Sequence, residues 1–369
     1  MTSRAYRVSF IEGDGIGPEV MRAARAILGT LSETFSLKFE FLPSPAGDRT
    51  LALEGSALPK DSFNTIKESD VCLKAPVGES AKDTILKIRQ ELDLYANIRP
   101  AKNYPYIQSK FSGVDLVIVR ENTEDLYVAR EVEEDEGRKA TALKVVTSKA
   151  TKRIAKKAFE LSLSRAKEGN RPAKVVCVNK SNILKKTDGL FVKTCAEVAS
   201  GFPTVDFSTM YVDSAAMNLV RKPEVFDVIL TSNMYGDILS DEASQVVGGL
   251  GLAPSANLGD WFALFEPVHG CAPDIAGKGI ANPIAMIFTV KMMLEYLADT
   301  RKDMNCAAAS RMLENSVASV VSSGVKTRDI GGNSSTIDVS NALTRDIVSR
   351  ENQDEERESR IKEDVLLKW

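Results

Sequence analysis

Histidine occurs once in 369 residues, at His269. A single imidazole cannot furnish a multi-histidine metal site, and it makes a Ser-His-Asp or Cys-His constellation hard to assemble. Acid-base chemistry would fall to Lys, Tyr, Asp or Glu. The five cysteines, Cys72, Cys177, Cys195, Cys271 and Cys306, are scattered, odd in number and without a CxxC pair. Neither a disulfide framework nor a thiolate zinc centre is expected, and a reducing cytoplasmic setting fits best. No apolar run reaches about 18 residues, so no membrane span is expected, and the N-terminus has neither a basic n-region nor a long apolar h-region. Lys and Arg total 48 against 51 Asp and Glu, a net charge of −3. With no basic block interleaved with aromatics, nucleic acid is not an expected partner. A phosphate loop of the type GxxxxGKS/T is also missing: AGKGIANP comes nearest, and it has Gly279 where a hydroxyl must bind metal.

The length favours two domains or one α/β fold in two lobes. Short runs rich in Val and Ile, namely Tyr6 to Ile11, Val71 to Lys74, Val114 to Val119, Lys174 to Val178 and Val225 to Thr231, read as buried strands. Helix-period stretches lie between several of them, among them Glu19 to Leu28, Thr151 to Arg165 and Leu190 to Ala199. The alternation indicates an α/β protein. Residues 129–147, with EVEEDEGRK between two β-capable segments, read as a polar hairpin arm that could pair with another subunit. From Arg350 onward the chain is densely charged and reads as a solvated helix or loose tail.

Asp237 and Asp241 lie four residues apart in NMYGDILSDEAS, on one face of a helix. Like charges so placed repel unless they are solvated or a cation lies between them. A solvated acidic face and a divalent-metal site are therefore both open. Arg89, Arg99 and Arg120 could clamp carboxylates bidentately, Arg120 from the end of a buried strand. Tyr127 follows seven residues later, and Lys180 comes just after another strand end, where active groups of open α/β sheets gather. A lysine desolvated beside carboxylates can transfer protons, and Asp213 would supply a third carboxylate. The turn in FIEGDGIGPEV lacks full GxGxxG spacing, so a tight strand-to-helix turn suits it as well as a nucleotide site.

Taken in order, GDGIGPE, RPAK, IVRENTEDLY, NKSN, SNMYGDILSDEAS and FEPVHGCAPDIAGKGIANP closely resemble the β-decarboxylating dehydrogenases, the family of isocitrate, 3-isopropylmalate, homoisocitrate and tartrate dehydrogenases. The match runs from about Val8 to Asn341, and the ordered set is specific where each piece alone is not. The resemblance implies a two-lobed α/β isopropylmalate-dehydrogenase-like fold, distinct from the Rossmann fold, with mixed sheets flanked by helices and a dimerisation arm. Residues 1–100 plus 248–369 would form the large cofactor-binding lobe and 101–247 the smaller one, with boundaries near Pro100 and Gly248. It further implies a 2-hydroxy diacid held by Arg89, Arg99 and Arg120, and Mg2+ or Mn2+ held by Asp237, Asp241 and Asp213 of the partner subunit. Lys180, also supplied across the dimer, would accept the C2 hydroxyl proton, and Tyr127 would help protonate the enol. A homodimer or dimer of dimers with shared sites follows.

The same resemblance places Asn182 near the nicotinamide, and Glu266, His269, Gly270, Asp274, Ile275 and Asn282 along the rest of the dinucleotide. NADP-using relatives carry Lys and Tyr at the positions of Asp274 and Ile275, so NAD is expected. Ile85 and Leu86, four and three residues before Arg89, match the apolar pair of isopropylmalate enzymes, while Asp83 disfavours a third carboxylate. The expected reaction is oxidative decarboxylation of 3-isopropylmalate, a step of leucine biosynthesis, with isocitrate, homoisocitrate or methylmalate as alternatives. Lys82 stands where bacterial isopropylmalate enzymes have a Glu touching the nicotinamide ribose. Glu79 could serve instead, or Lys82 could attract a substrate carboxylate.

Overall fold

The computed structural model describes residues 5–169 and 171–366, and for Lys82 and residues 354–366 the backbone alone. The expected roles of the Lys82 side chain and of the tail's charged side chains lie outside the described residues. The chain forms two compact units, one of Met1–Glu79, Pro105–Ile107 and Gly270–Trp369, the other of Ser80–Tyr104 and Gln108–His269. These divisions fall near residues 80 and 270 rather than near Pro100 and Gly248.

The first unit carries three parallel strands, β1 (Tyr6–Ile11), β2 (Phe39–Pro43) and β3 (Val71–Lys74), with β1 between the other two. After β1 the helix Gly17–Thr34 starts with Pro18 in its first turn, where the missing N–H costs nothing. Its buried Val20, Met21, Ala24, Ile27, Leu28 and Leu31 form the apolar stripe that seats it. The helix Ile284–Arg301 is buried without a break from Ile284 to Val290. The long helix Thr336–Leu366 carries the backbone into the charged tail.

The second unit contains β4 (Ala96–Lys102), β5 (Asp115–Glu121), β6 (Glu131–Glu134), β7 (Lys139–Ala142), β8 (Lys174–Asn179), β9 (Asp206–Tyr211), β10 (Val228–Thr231), β11 (Pro254–Leu258) and β12 (Ala263–Pro267). Its mixed sheet runs β12-β11-β4-β5-β10-β8-β9. Pairs from β12 to β5 are antiparallel, and those from β5 to β9 are parallel. Because β11 pairs with β4, with Ala256 beside Ile98, the segment after Gly248 joins this unit. The strand expected from Val225 starts only at Val228, since Pro223–Val225 forms a turn of 3-10 helix and proline has no N–H to give a ladder. Leu116, Ile118, Val176, Val178, Ile229, Leu219, Leu239 and Ala243 pack as one core. The hairpin arm is present as β6 and β7 paired antiparallel, with every residue of both strands exposed. No helix of the described residues is long and apolar enough to cross a membrane.

Candidate active site

The run LVIV buries β5 and ends in Arg120, whose Cα pairs with that of Thr231 at the carboxyl end of β10. Two residues on, the helix Asn233–Val246 begins, so its first turns lie beside the Arg120 side chain. Gly236 makes this approach possible: a Cβ there would lie 2.6 Å from Arg120 Cγ and 2.8 Å from Arg120 Cβ. The helix thereby gives up about 1 kcal/mol of propensity relative to alanine, so the close contact outweighs helix preference. Gly236→Ala is expected to push the Arg120 stem aside, costing about 1–3 kcal/mol by overpacking. A thermal melt at or above that of the parent protein would contradict this.

Arg120 is 1% exposed and Arg99, on β4, 9%. Both aim at Asp237: its Oδ1 lies 2.6 Å from Arg120 Nη1 and 3.0 Å from Arg99 Nη1, and its Oδ2 accepts a 2.5 Å hydrogen bond from the Tyr127 hydroxyl. Arg120 Nε donates to the backbone and side-chain oxygens of Asn233, and its guanidinium lies 5.0 Å from the Tyr127 ring centre. Arg99 is braced by Asn97 Oδ1 and Ser240 Oγ, both at 2.7 Å. Asp241 lies 3.6 Å from Arg99 Nη1 and is 56% exposed. Burial alone would raise the pKa of both acids. For Asp237 the attraction of Arg120 and Arg99 and the Tyr127 hydrogen bond win and hold it below the usual range, whereas for Asp241 burial and the negative Asp237 win over Arg99 and push it up. Burial also raises the Tyr127 phenol, with Arg120 opposing and Asp237 assisting, so it stays a donor. Burial and the neighbouring Arg99 draw Arg120 down to about 9, still charged at neutrality.

Arg89, in the helix Lys87–Glu91, donates to Glu266 Oε1 at 3.0 Å, and Asn257 donates to the same oxygen at 2.8 Å. It nonetheless adds to the field that lowers Asp237. The Arg89 Nε and Arg120 Nη2 donors are buried and find no acceptor among the described residues. Such donors are costly unless a ligand accepts from them. Just before Arg89, a turn of π-helix, Lys82–Leu86, carries buried Ile85 and half-buried Leu86.

Arg89, Arg99, Arg120, Tyr127, Asp237 and Asp241 are thus gathered in one region, whereas Lys180 and Asp213 pair with each other, Nζ to Oδ1 at 2.8 Å. That bond keeps the Asp213 carboxyl below its ordinary range. Among the described residues no group of three or more His, Cys, Asp or Glu forms a metal-sized cluster, so Asp213 does not complete the Asp237 pair within one chain. Half-buried Asp237 and exposed Asp241, offering only oxygen, still suit a hard divalent cation whose remaining ligands are waters and substrate oxygens.

Asn182 is exposed on the turn after Lys180, and half-buried His269 ends the second unit. In the first unit Gly270 and Asp274 are exposed, and Ile275 is half-buried in the short turn Pro273–Ile275. Asn282 donates to Asp329 at 2.8 Å and caps the N–H of Ile284. The GDGIGPE glycines serve the chain itself: a Cβ on Gly13 would meet Pro76 O at 1.9 Å and one on Gly15 would meet Cys271 O at 1.9 Å. The neighbouring N–H groups of Asp14 and Ile16 bond those carbonyls, so the tight-turn reading of this motif is the one observed. Sequence reasoning missed Asn97, Asn233, Gly236 and Ser240, which hold the arginines in place. The polar Asn233 and the small Gly236 within NMYG, just before Asp237, were the available signal.

Residues 7–347 match the family described as isocitrate/isopropylmalate dehydrogenase. The chain is 50% identical over 339 residues to a 3-isopropylmalate dehydrogenase of Sulfurisphaera tokodaii, covering 92% of this chain and 98% of that one. It is 50% identical over 335 residues to a 3-isopropylmalate dehydrogenase of Saccharolobus solfataricus, covering 90% and 97%. Among solved structures, the isocitrate dehydrogenase from Methylococcus capsulatus superimposes with a TM-score of 0.85 at 38% identity, over 93% of this chain and 99% of that one.

Proposed function

The chain belongs to the isocitrate/isopropylmalate dehydrogenase family, and from that premise we propose that it carries out the NAD-dependent oxidative decarboxylation of 3-isopropylmalate with Mg2+ or Mn2+. The observation that carries this reading is the charge balance of the site. Arg89, Arg99 and Arg120 contribute +3, and Asp237, Asp241 and Glu266 contribute −3. A divalent cation and a dicarboxylate add +2 and −2, so the pair can enter together without leaving net charge in a partly buried site. A tricarboxylate such as isocitrate would leave one negative charge over. Ile85 and Leu86 offer its extra arm apolar surface rather than a donor.

In this reading the unsatisfied Arg89 and Arg120 N–H groups donate to the substrate carboxylates and orient C2 and C3. Asp237 and Asp241 would hold the metal, which when bound supplies Lewis-acid stabilisation of negative charge on substrate oxygens. A bound NAD would supply the acceptor for the C2 hydride. Lys180 removes the C2 hydroxyl proton. As the C3 carboxyl leaves as CO2, its bonding electrons pass into an enolate, and Tyr127, whose phenol keeps its proton, returns one to carbon. Exposed Asp274 would accept ribose hydroxyls and repel a 2′-phosphate.

We also assign Lys180 and Asp213 to the site of a second copy. Met217 and Val220 on the helix Val212–Arg221, and Met234 and Ile238 on the helix Asn233–Val246, are exposed apolar side chains, and the arm leaves both its strands without a third. Covering that surface with another protomer would bury the apolar groups flanking Asp213 and Asp237. NADH formation at 340 nm with each diacid, each coenzyme and Mg2+ tests the substrate and cofactor. We expect kcat/KM for isopropylmalate to exceed that for isocitrate by about tenfold or more. Equal or better use of isocitrate, or NADP serving as well as NAD, would overturn the corresponding part.

A further inference from the structure

Behind the site lies a buried charge cluster that the reaction as written does not use. Lys144, 13% exposed, places Nζ 2.8 Å from Asp188 Oδ1, an ion pair without hydrogen-bond alignment, and 3.5 Å from Asp125 Oδ1. The two carboxylates are 3% and 2% exposed, and the ammonium also lies 4.5 Å from the ring centre of Tyr235, two residues before Asp237.

Each carboxylate holds one functional turn. Asp188 Oδ2 accepts the backbone N–H of Lys180 at 2.6 Å. Asp125 accepts from the Leu126 N–H, the Ser232 hydroxyl and the Met234 N–H, tying the turn that carries Tyr127 to the start of the Asp237 helix. Asp125 itself sits at φ +68°, ψ −148°, a region almost reserved for glycine. Non-glycine backbone persists there only where its surroundings over-determine it, as four partners do here.

We propose that Lys144 is a positioning residue for proton transfer: it clamps Asp188 and Asp125, and through them fixes the Lys180 turn and the Tyr127 turn. The inference rests on the proposed roles of Lys180 and Tyr127. Stability alone does not explain the cluster, because a buried ion pair is often matched or bettered by apolar packing of the same volume. What an apolar residue cannot do is grip two carboxylates from separate loops at once. Lys144 lies two residues past the end of β7, so the foot of the exposed arm belongs to the same clamp.

The test uses the full-length protein and the variants Lys144→Met, Lys144→Arg and Asp188→Asn. Steady-state kinetics are measured on isopropylmalate with NAD and Mg2+, and Lys180 reactivity is read by competitive acetylation with acetic anhydride and mass spectrometry. Lys144→Met and Asp188→Asn are expected to lower kcat by about ten- to a hundredfold with KM within about twofold, as for other supporting residues behind a catalytic group. Lys180 acetylation should rise as its turn loosens, and Lys144→Arg, which keeps the charge, should recover most of both. Unchanged kcat and unchanged acetylation in Lys144→Met, or in Asp188→Asn if the former does not fold, would overturn the proposal. So would a KM that worsens in step with kcat and an arginine no better than methionine, the pattern of a residue that only supports the fold. If the parent protein oxidises none of the diacids, the proposed reaction fails, while the acetylation comparison still decides whether the clamp holds Lys180.

Discussion

Asp237→Asn is expected to raise the Mg2+ concentration needed for half-maximal turnover by on the order of ten- to a hundredfold, and to lower thermal stability even in the absence of metal. The second effect follows from what faces this carboxylate. Two guanidinium groups, 1% and 9% exposed, share its Oδ1, and an amide leaves them confronting each other with only the more distant Asp241, 3.6 Å from Arg99, as counter-charge. Breaking a buried pair costs about 3–5 kcal/mol; with Asp237 itself 38% exposed, water replaces part of the loss, and about 2 kcal/mol is expected. The pH dependence has a fixed sign. Because the folded protein holds Asp237 below its ordinary pKa, its contribution is complete above the unfolded carboxylate value near ~4 and disappears as the pH falls through the lower folded value. Asp241 behaves in the opposite sense. Its folded pKa is raised, so its ionised form weighs against the fold at neutral pH. Asp241→Asn should therefore melt at or above the parent temperature in chelator, yet lose the stabilisation that Mg2+ gives the parent. Melts with and without Mg2+ across pH check both signs, and an Asp241→Asn variant that Mg2+ stabilises as fully as the parent would remove the pair from the metal site.

Much of this site could be read before any coordinates. The apolar runs that become β1, β3, β5 and β8 are short enough and branched enough to be strands, and spacing alone puts Asp237 and Asp241 on one helical face. What resisted reading was pairing at long range. Arg89 and Glu266 are 177 residues apart, and nothing local to either says that one buried charge answers the other. Lys144 fell within the polar arm of residues 129–147, and nothing local in the sequence singled out Asp188. Their burial depends on how β8, the arm's foot and the helix Asn233–Val246 converge, which local periodicity does not encode. The unit boundary shifted for the same reason. Ala256 finds Ile98 as its neighbour through a ladder between segments far apart in sequence, so the segment that looked like part of the large lobe is built into the second unit's sheet.

Lys180→Met is expected to lower kcat by about 10²–10⁴, the usual range for losing a general base, with little change in KM. The fold should be untouched, since Asp213, with which the lysine side chain pairs, is 64% exposed and the methionine retains the stem's packing. Arginine separates this lysine from Lys144. A guanidinium keeps charge and reach but does not give up its proton near neutrality, so Lys180→Arg should be as slow as Lys180→Met, while Lys144→Arg should recover activity. Small primary amines added to Lys180→Met should restore part of the rate by acting as the missing base. Subunit mixing then asks which protomer supplies it. If Lys180 serves the Asp237 site of the other copy, a hybrid of Lys180→Met with Asp237→Asn has one intact site and one doubly altered site, and random reassortment should restore about a quarter of parent activity. If both groups belonged to one chain's own site, no hybrid would contain an intact site. Mixed variants that remain as inactive as either parent variant after verified exchange would therefore place Lys180 and Asp237 in the same protomer's site and remove the shared-site arrangement.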